Sequence, residues 1–189
     1  MNKINLDKLI YLDLEFISRK YEEITGENPD ESVTRQEGKN AGINALFMNA
    51  GFTTQESRSY KLTSRGMLKE IWEILFKNYE QFKENEFKNN MGTSIAWIQG
   101  SLTIGEWKQS GSQNPGFEFL QLNHNEKRTA FLSDREYLAA GFRELFGASS
   151  ALKLNISIPV ICLSRIMWHV DAARSYTACP YVIIEIAGN

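Results

Sequence analysis

The chain has 189 residues, a hydrophobic fraction of 42% and a formal charge of −2. At that size it can bury a core without a disulfide or metal staple, and its 11 Phe, 7 Tyr and 4 Trp exclude a wholly disordered chain. Acidic and basic residues are interleaved, as in Lys77, Lys83 and Lys88 against Glu80, Glu84 and Glu86, which argues against attachment to nucleic acid mainly by phosphate neutralisation.

The N-terminus has no uninterrupted apolar run of the signal-peptide kind, and no stretch approaches the ~18 apolar residues of a spanning helix. The two cysteines, Cys162 and Cys179, form no CxxC and no framework. Both sit in apolar, strand-like sequence, where a free thiol behaves as a small core residue. A reducing cytoplasmic location follows as the expectation.

Lys8–Asp13 reads as a short buried strand, after which Asp13 can cap a helix. Leu14, Ile17, Tyr21 and Ile24 give that helix one apolar face, and Gly26 ends it. Residues 27–63 read as a mobile, glycine-punctuated insert with a small and apolar centre at 38–52. A long helix is predicted from Ser64 to about Asn85, striped by Met67, Leu68, Ile71, Trp72, Leu75, Tyr79 and Phe82.

The second half is strand-rich. Ser94–Trp107 alternates apolar positions, with Gly100 and Gly105 at bulges or close backbone approaches. Residues 109–116 form a loop by composition, Phe117–Leu122 a strand, His124–Arg128 a turn and Thr129–Leu132 its partner strand. Ser133 and Glu136 have capping-box spacing before a helix carrying Tyr137, Leu138, Phe142 and Leu145, closed by Gly147. Leu154, Ile156 and Ile158 alternate, and Val160–Leu163 and Tyr181–Ile186 read as central strands. Helices and strands do not alternate strictly. The predicted architecture is one α+β domain over 1–189, with a mostly antiparallel sheet and about three helices packed on it.

Three kinds of function have residues behind them. The apolar centre of the insert, with Ile43, Leu46, Phe47, Met48 and Phe52, needs burial somewhere, in a second copy of the chain or in another protein. The glycines there match neither GxxxxGK[ST] nor GxGxxG, so no nucleotide cofactor is implied. His169 lies between Cys162 and Cys179 in sequence, and Asp171 shares its strand face. A thiol, an imidazole and an orienting carboxylate are the parts of a nucleophilic site, here Cys162, His169 and Asp171 with Cys179 as the alternative thiol. The ordinary reading is a satisfied histidine at a strand end. His124 reads as a turn residue, and the Cys and His spacing suits no zinc module, so no metal is expected. Trp97, Trp107 and Lys108, with Phe117 and Phe119 on the next strand, could form a base-stacking face, although core packing is the commoner fate of such aromatics.

Tyr11–Ser18 running into Tyr21–Gly26 resembles the opening of a family of uncharacterised bacterial proteins, in which a Tyr-Leu-Asp strand end leads to a short helix ending in Thr-Gly and then a Gly-rich insert. Ile98–Leu102 and Ile158–Ile161 are similar as well. The resemblance implies a setting beside bacterial defence genes and no catalytic residue. The leading expectation is a non-catalytic, self-assembling or protein-binding module. A Cys/His hydrolase or transferase and a single-stranded nucleic-acid binder are the alternatives, with nucleic acid the less expected partner.

Overall fold

The structure, a computed structural model, describes residues 5–29, 52–84, 92–107, 117–139, 141–153, 155–170 and 175–186; at 52–63, 107, 150, 151 and 170 the description is of backbone alone. The chain divides into two compact units, one of 1–6 and 14–77 and one of 7–13 and 78–189.

The first unit holds α1 (Leu14–Thr25) and α2 (Phe52–Asn78). Phe16, Ile17 and Tyr21 are the buried residues of α1, which closes as Gly26 N–H donates to Glu22 O at 2.8 Å. On α2 the buried positions are Ser64, Met67, Leu68, Ile71 and Leu75, the three-and-four spacing read from the sequence. The Tyr21 hydroxyl lies 3.1 Å from Glu27 Oε2 and 3.3 Å from Glu70 Oε2, joining the two helices. Burial first, and then these two carboxylates, push the phenol up to about 12.

α2 starts well before Ser64 and stops at Asn78 rather than near Asn85. Beyond it the backbone has other partners: Phe82 N–H donates to Trp97 O at 2.8 Å and Trp97 N–H to Glu80 O at 2.9 Å. Tyr79 and Phe82 continue the helical period in sequence, but this short parallel bridge takes the backbone groups a helix would need.

The second unit is built on β1 (Leu9–Leu12), β2 (Ser94–Trp107), β3 (Phe117–His124), β4 (Lys127–Phe131), β5 (Ile158–Val170) and β6 (Ser175–Glu185). The order is β1-β6-β4-β3-β2-β5, and β5 pairs with β6 as well, so β2 to β6 close into a five-stranded barrel. The expected mostly antiparallel sheet is therefore corrected to a mixed one. Arg128–Phe131 of β4 run parallel to Ser175–Ala178 of β6. The cause is a crossover: residues 132–157 carry the chain from β4 to β5, which pairs with β2 and β6 instead of continuing the meander.

That crossover was predicted as one capped helix and is several short pieces. Asp134, not Ser133, caps a single 3₁₀ turn at Arg135–Tyr137, accepting from Glu136 N–H at 2.9 Å. Leu138 bridges Tyr11, and Ala139 N–H donates to Ile10 O at 2.8 Å, which takes this stretch out of any helix. α3 (Phe142–Leu145) and α4 (Ser150–Lys153) follow, each one turn long.

The barrel interior is filled by Ala96, Ile98, Leu102, Leu120, Leu122, Phe131, Val160, Cys162, Ile166, Tyr176, Ala178 and Ile183. β2 serves two neighbours. Its first part pairs with β5 and its second with β3, changing over near Gly100. A methyl group at Gly100 would fall on the carbonyl oxygen of Asn123, so this is the close backbone approach that the sequence suggested.

Candidate nucleic-acid interface

Of the Cys/His arrangement the structure describes Cys162, Cys179 and His169. Cys162 faces the barrel interior with no exposure, and burial pushes its thiol far above the ordinary value. A thiolate is needed for attack, and this environment suppresses it. The Cys179 thiol is also raised, chiefly by burial, and its Sγ lies 3.7 Å from Met167 Sδ. Asp171 lies outside the described residues.

His169 instead joins a cluster at one end of the barrel. Its ring centroid is 4.5 Å from that of Tyr176, which is also 6.0 Å from His124 and 5.1 Å from Phe82. Thus the chain's two histidines, far apart in sequence, meet one tyrosine. Lys127 Nζ stands 5.8 Å from the Tyr176 ring centroid and is ion-paired with Glu84, while His124 Nε2 shares a 2.9 Å hydrogen bond with Thr129 Oγ1. Burial, with help from Lys127 and against Glu84, holds the His124 imidazole below its ordinary value. This is a packed plug. No group of three potential metal-ligating side chains forms among the described residues. The adjacent turn, Asn123–Arg128, lines a shallow cavity of about 390 Å³.

Trp97 is corrected as a stacking residue, because it is 1% exposed. Trp107 ends β2 opposite Phe117, its side chain undescribed, and Lys108 lies outside the described residues. So do Ile43, Leu46, Phe47 and Met48, and Phe52 enters only as the first backbone position of α2.

Phe117 and Phe119, the other aromatics of that expectation, lie on the outside of the barrel. Leu120 and Leu122 point inward, so Phe117, Phe119, Gln121 and Asn123 point outward along β3. Phe117 is 63% exposed and stacks on Phe119 at 6.5 Å between centroids. Phe119 lies across β2: a methyl group at Gly105 would stand 2.5 Å from its Cε2. Glycine in mid-strand is what lets the ring lie down there.

Cross-strand register extends this face. One row runs Thr103, Gln121, Ala130, Thr177, Trp168, from β2 through β3, β4 and β6 to β5. The next runs Ser101, Asn123, Arg128, Ser175. Trp168 is 49% exposed, and Leu132, just past β4, is equally so. Arg128 and Arg165 are exposed, whereas Glu118 is ion-paired with Lys153. The face therefore offers flat apolar groups at either side, small residues between them, side-chain amides and two guanidinium groups. Gln121, Asn123, Arg128 and Trp168 were not singled out from the sequence. The available signal was strand parity around the apolar Leu120, Leu122 and Phe131.

Comparison of the chain with protein families, curated proteins and solved structures finds no match.

Proposed function

We propose that this chain is a non-catalytic binding protein that holds single-stranded nucleic acid on the outer face of its barrel. Five-stranded Greek-key barrels of the oligonucleotide- and oligosaccharide-binding kind use the face of their second and third strands, flanked by the loops after the first and fourth. In this barrel those strands are β3 and β4, and Trp168 lies two residues before the end of the fourth strand, β5. That likeness is one of architecture alone. The observation that carries the reading is the outward row from Thr103 to Trp168 with Phe117 and Phe119 beside it.

Every base has a flat apolar face, so stacking on exposed rings binds single strands without needing a strongly basic protein, at roughly 1–3 kcal/mol per base. Duplex DNA keeps its bases stacked on one another and cannot use such rings. The net charge of −2 is compatible with this mode, since only Arg128 and Arg165 are assigned to phosphates.

The test is fluorescence anisotropy of a labelled ten-nucleotide single strand, with the matching duplex as control. Two phosphate contacts give a salt slope of about −1.4, or about a sevenfold loss of affinity from 50 to 200 mM salt. Single-strand binding with that shallow slope supports the proposal. Failure to bind single strands, or equal binding of duplex, overturns it. A neutral oligosaccharide on the same rings would show no such slope.

A further inference from the structure

Three polar side chains on the proposed face form a relay with a fixed direction. Thr103 Oγ1 lies 3.2 Å from Gln121 O, a backbone carbonyl that can only accept, so the Thr103 hydroxyl must donate there. Its proton committed, Thr103 Oγ1 can only accept from Asn123, whose Nδ2 donates at 3.3 Å. That turns Asn123 Oδ1 towards Gln121, and Gln121 Nε2 donates to it at 2.9 Å. The orientation of the Gln121 amide thus follows from hydrogen-bond logic along the chain of partners. Its Oε1 points the other way, 3.1 Å from where a Gly105 methyl group would stand and beside the Phe119 ring. The residue opposite Gln121 on β4 is Ala130, which is too short to cover it. Among the described residues nothing else takes up one N–H of Gln121 or its Oε1, and these serve a ligand next to a stacking platform.

We infer that Gln121 is a specificity-determining residue that separates amino bases from keto bases in the strand stacked on Phe119. The inference rests on the nucleic-acid reading of the face. On the pairing edge, adenine and cytosine present a donor from their exocyclic amino group and then a ring acceptor. Guanine and thymine or uracil present an exocyclic acceptor and then a ring donor; the second carbonyl of thymine or uracil offers the opposite order only to a base slid along its edge, away from the seat on Phe119. A freely turning amide would match either order. One locked with its oxygen toward Phe119 matches only one order for a given strand direction, and the other order sets acceptor against acceptor. A well-formed bidentate contact of this kind discriminates by roughly ten- to a hundredfold.

The experiment uses four oligonucleotides, identical except for adenine, cytosine, thymine or hypoxanthine (in place of guanine, to avoid quadruplexes) at every second position. Their affinities are measured for the wild-type chain and for Gln121→Met, which keeps the length of the side chain and removes the amide. Adenine and cytosine grouping together, at least tenfold from thymine and hypoxanthine, with the split collapsing in Gln121→Met while binding persists, supports the inference. A purine–pyrimidine split, equal affinities, or a split unchanged in Gln121→Met overturns it. Binding to none of the four by the wild-type chain overturns the nucleic-acid reading as a whole, which distinguishes that failure from the failure of Gln121 alone.

Discussion

Replacing Gly105 by Ala puts a methyl carbon 2.5 Å from Phe119 Cε2 and 2.7 Å from its Cζ. Carbon atoms in contact settle at ~3.5–4.0 Å, so the ring has to withdraw by about 1 Å or more. It is partly exposed and can swing outward, so the strain is relieved at little cost. An alanine also narrows the unfolded ensemble, which contributes about 0.4–1 kcal/mol of stability where the backbone tolerates it. The expected net change in stability is within about 1 kcal/mol. Binding responds differently, because the platform beside Gln121 has moved. Loss of one stacking contact weakens single-strand affinity by about 1–3 kcal/mol, roughly 5- to 150-fold. Gly100→Ala is the control. Its methyl group meets the backbone of Asn123, including the carbonyl carbon at 3.2 Å, and can be accommodated only by opening the β2–β3 ladder. Overpacking of that kind costs about 1–3 kcal/mol of stability. Urea unfolding and anisotropy on both variants separate the two roles. Gly105→Ala that binds like the wild type, or that unfolds as readily as Gly100→Ala, would refute the assignment of Phe119 to the face.

Trp168→Ala should leave the unfolding midpoint nearly unchanged, because the ring is 49% exposed, and should weaken single-strand binding by about 1–3 kcal/mol; unchanged affinity removes Trp168 from the face. Cys162 should resist a thiol reagent in the native state and react only on unfolding, and rapid labelling near neutral pH would favour the nucleophilic reading. The folded His124 ring is held below 6.5, so between 6.5 and its folded value the unfolded state binds more protons; stability should be full above 6.5 and fall as the pH drops below it. Urea midpoints at several pH values should show a flatter decline for His124→Gln, and an identical decline would assign the effect elsewhere. Asn125 and Glu126 have φ of 44° and 61°, and the second is a poor residue for a left-handed position, so Glu126→Gly should stabilise the chain by about 1 kcal/mol in thermal melts; a loss would contradict this reading of the turn.

The elements most legible in the sequence are those decided locally. β1, α1, the Asn125–Glu126 turn and the close approach at Gly100 rest on short periodicities, turn residues and a missing side chain. Barrel closure rests on long-range pairing that no local pattern encodes. Val160–Leu163 look like a central strand in any sheet, and nothing in them says that one edge meets β2 and the other β6. The capping-box spacing at Ser133 misled because the backbone of Leu138 and Ala139 has partners far away in Tyr11 and Ile10. At the candidate site, Phe117 and Phe119 were legible as aromatics on one strand face. Trp97 has similar surroundings in sequence and is buried, since burial depends on what lies over a strand rather than on the strand itself. Trp168 gains meaning only through its register with Thr177, Ala130 and Gln121.

The most direct test of the proposed face is a map of backbone amide shifts in the isotopically labelled protein, titrated with an unlabelled ten-nucleotide single strand at low salt. Shifts concentrated at 117–123, 128–132 and 165–168 are the expected result. A saturating strand that leaves those amides unmoved, or that moves only residues of α1 and α2, would contradict the account.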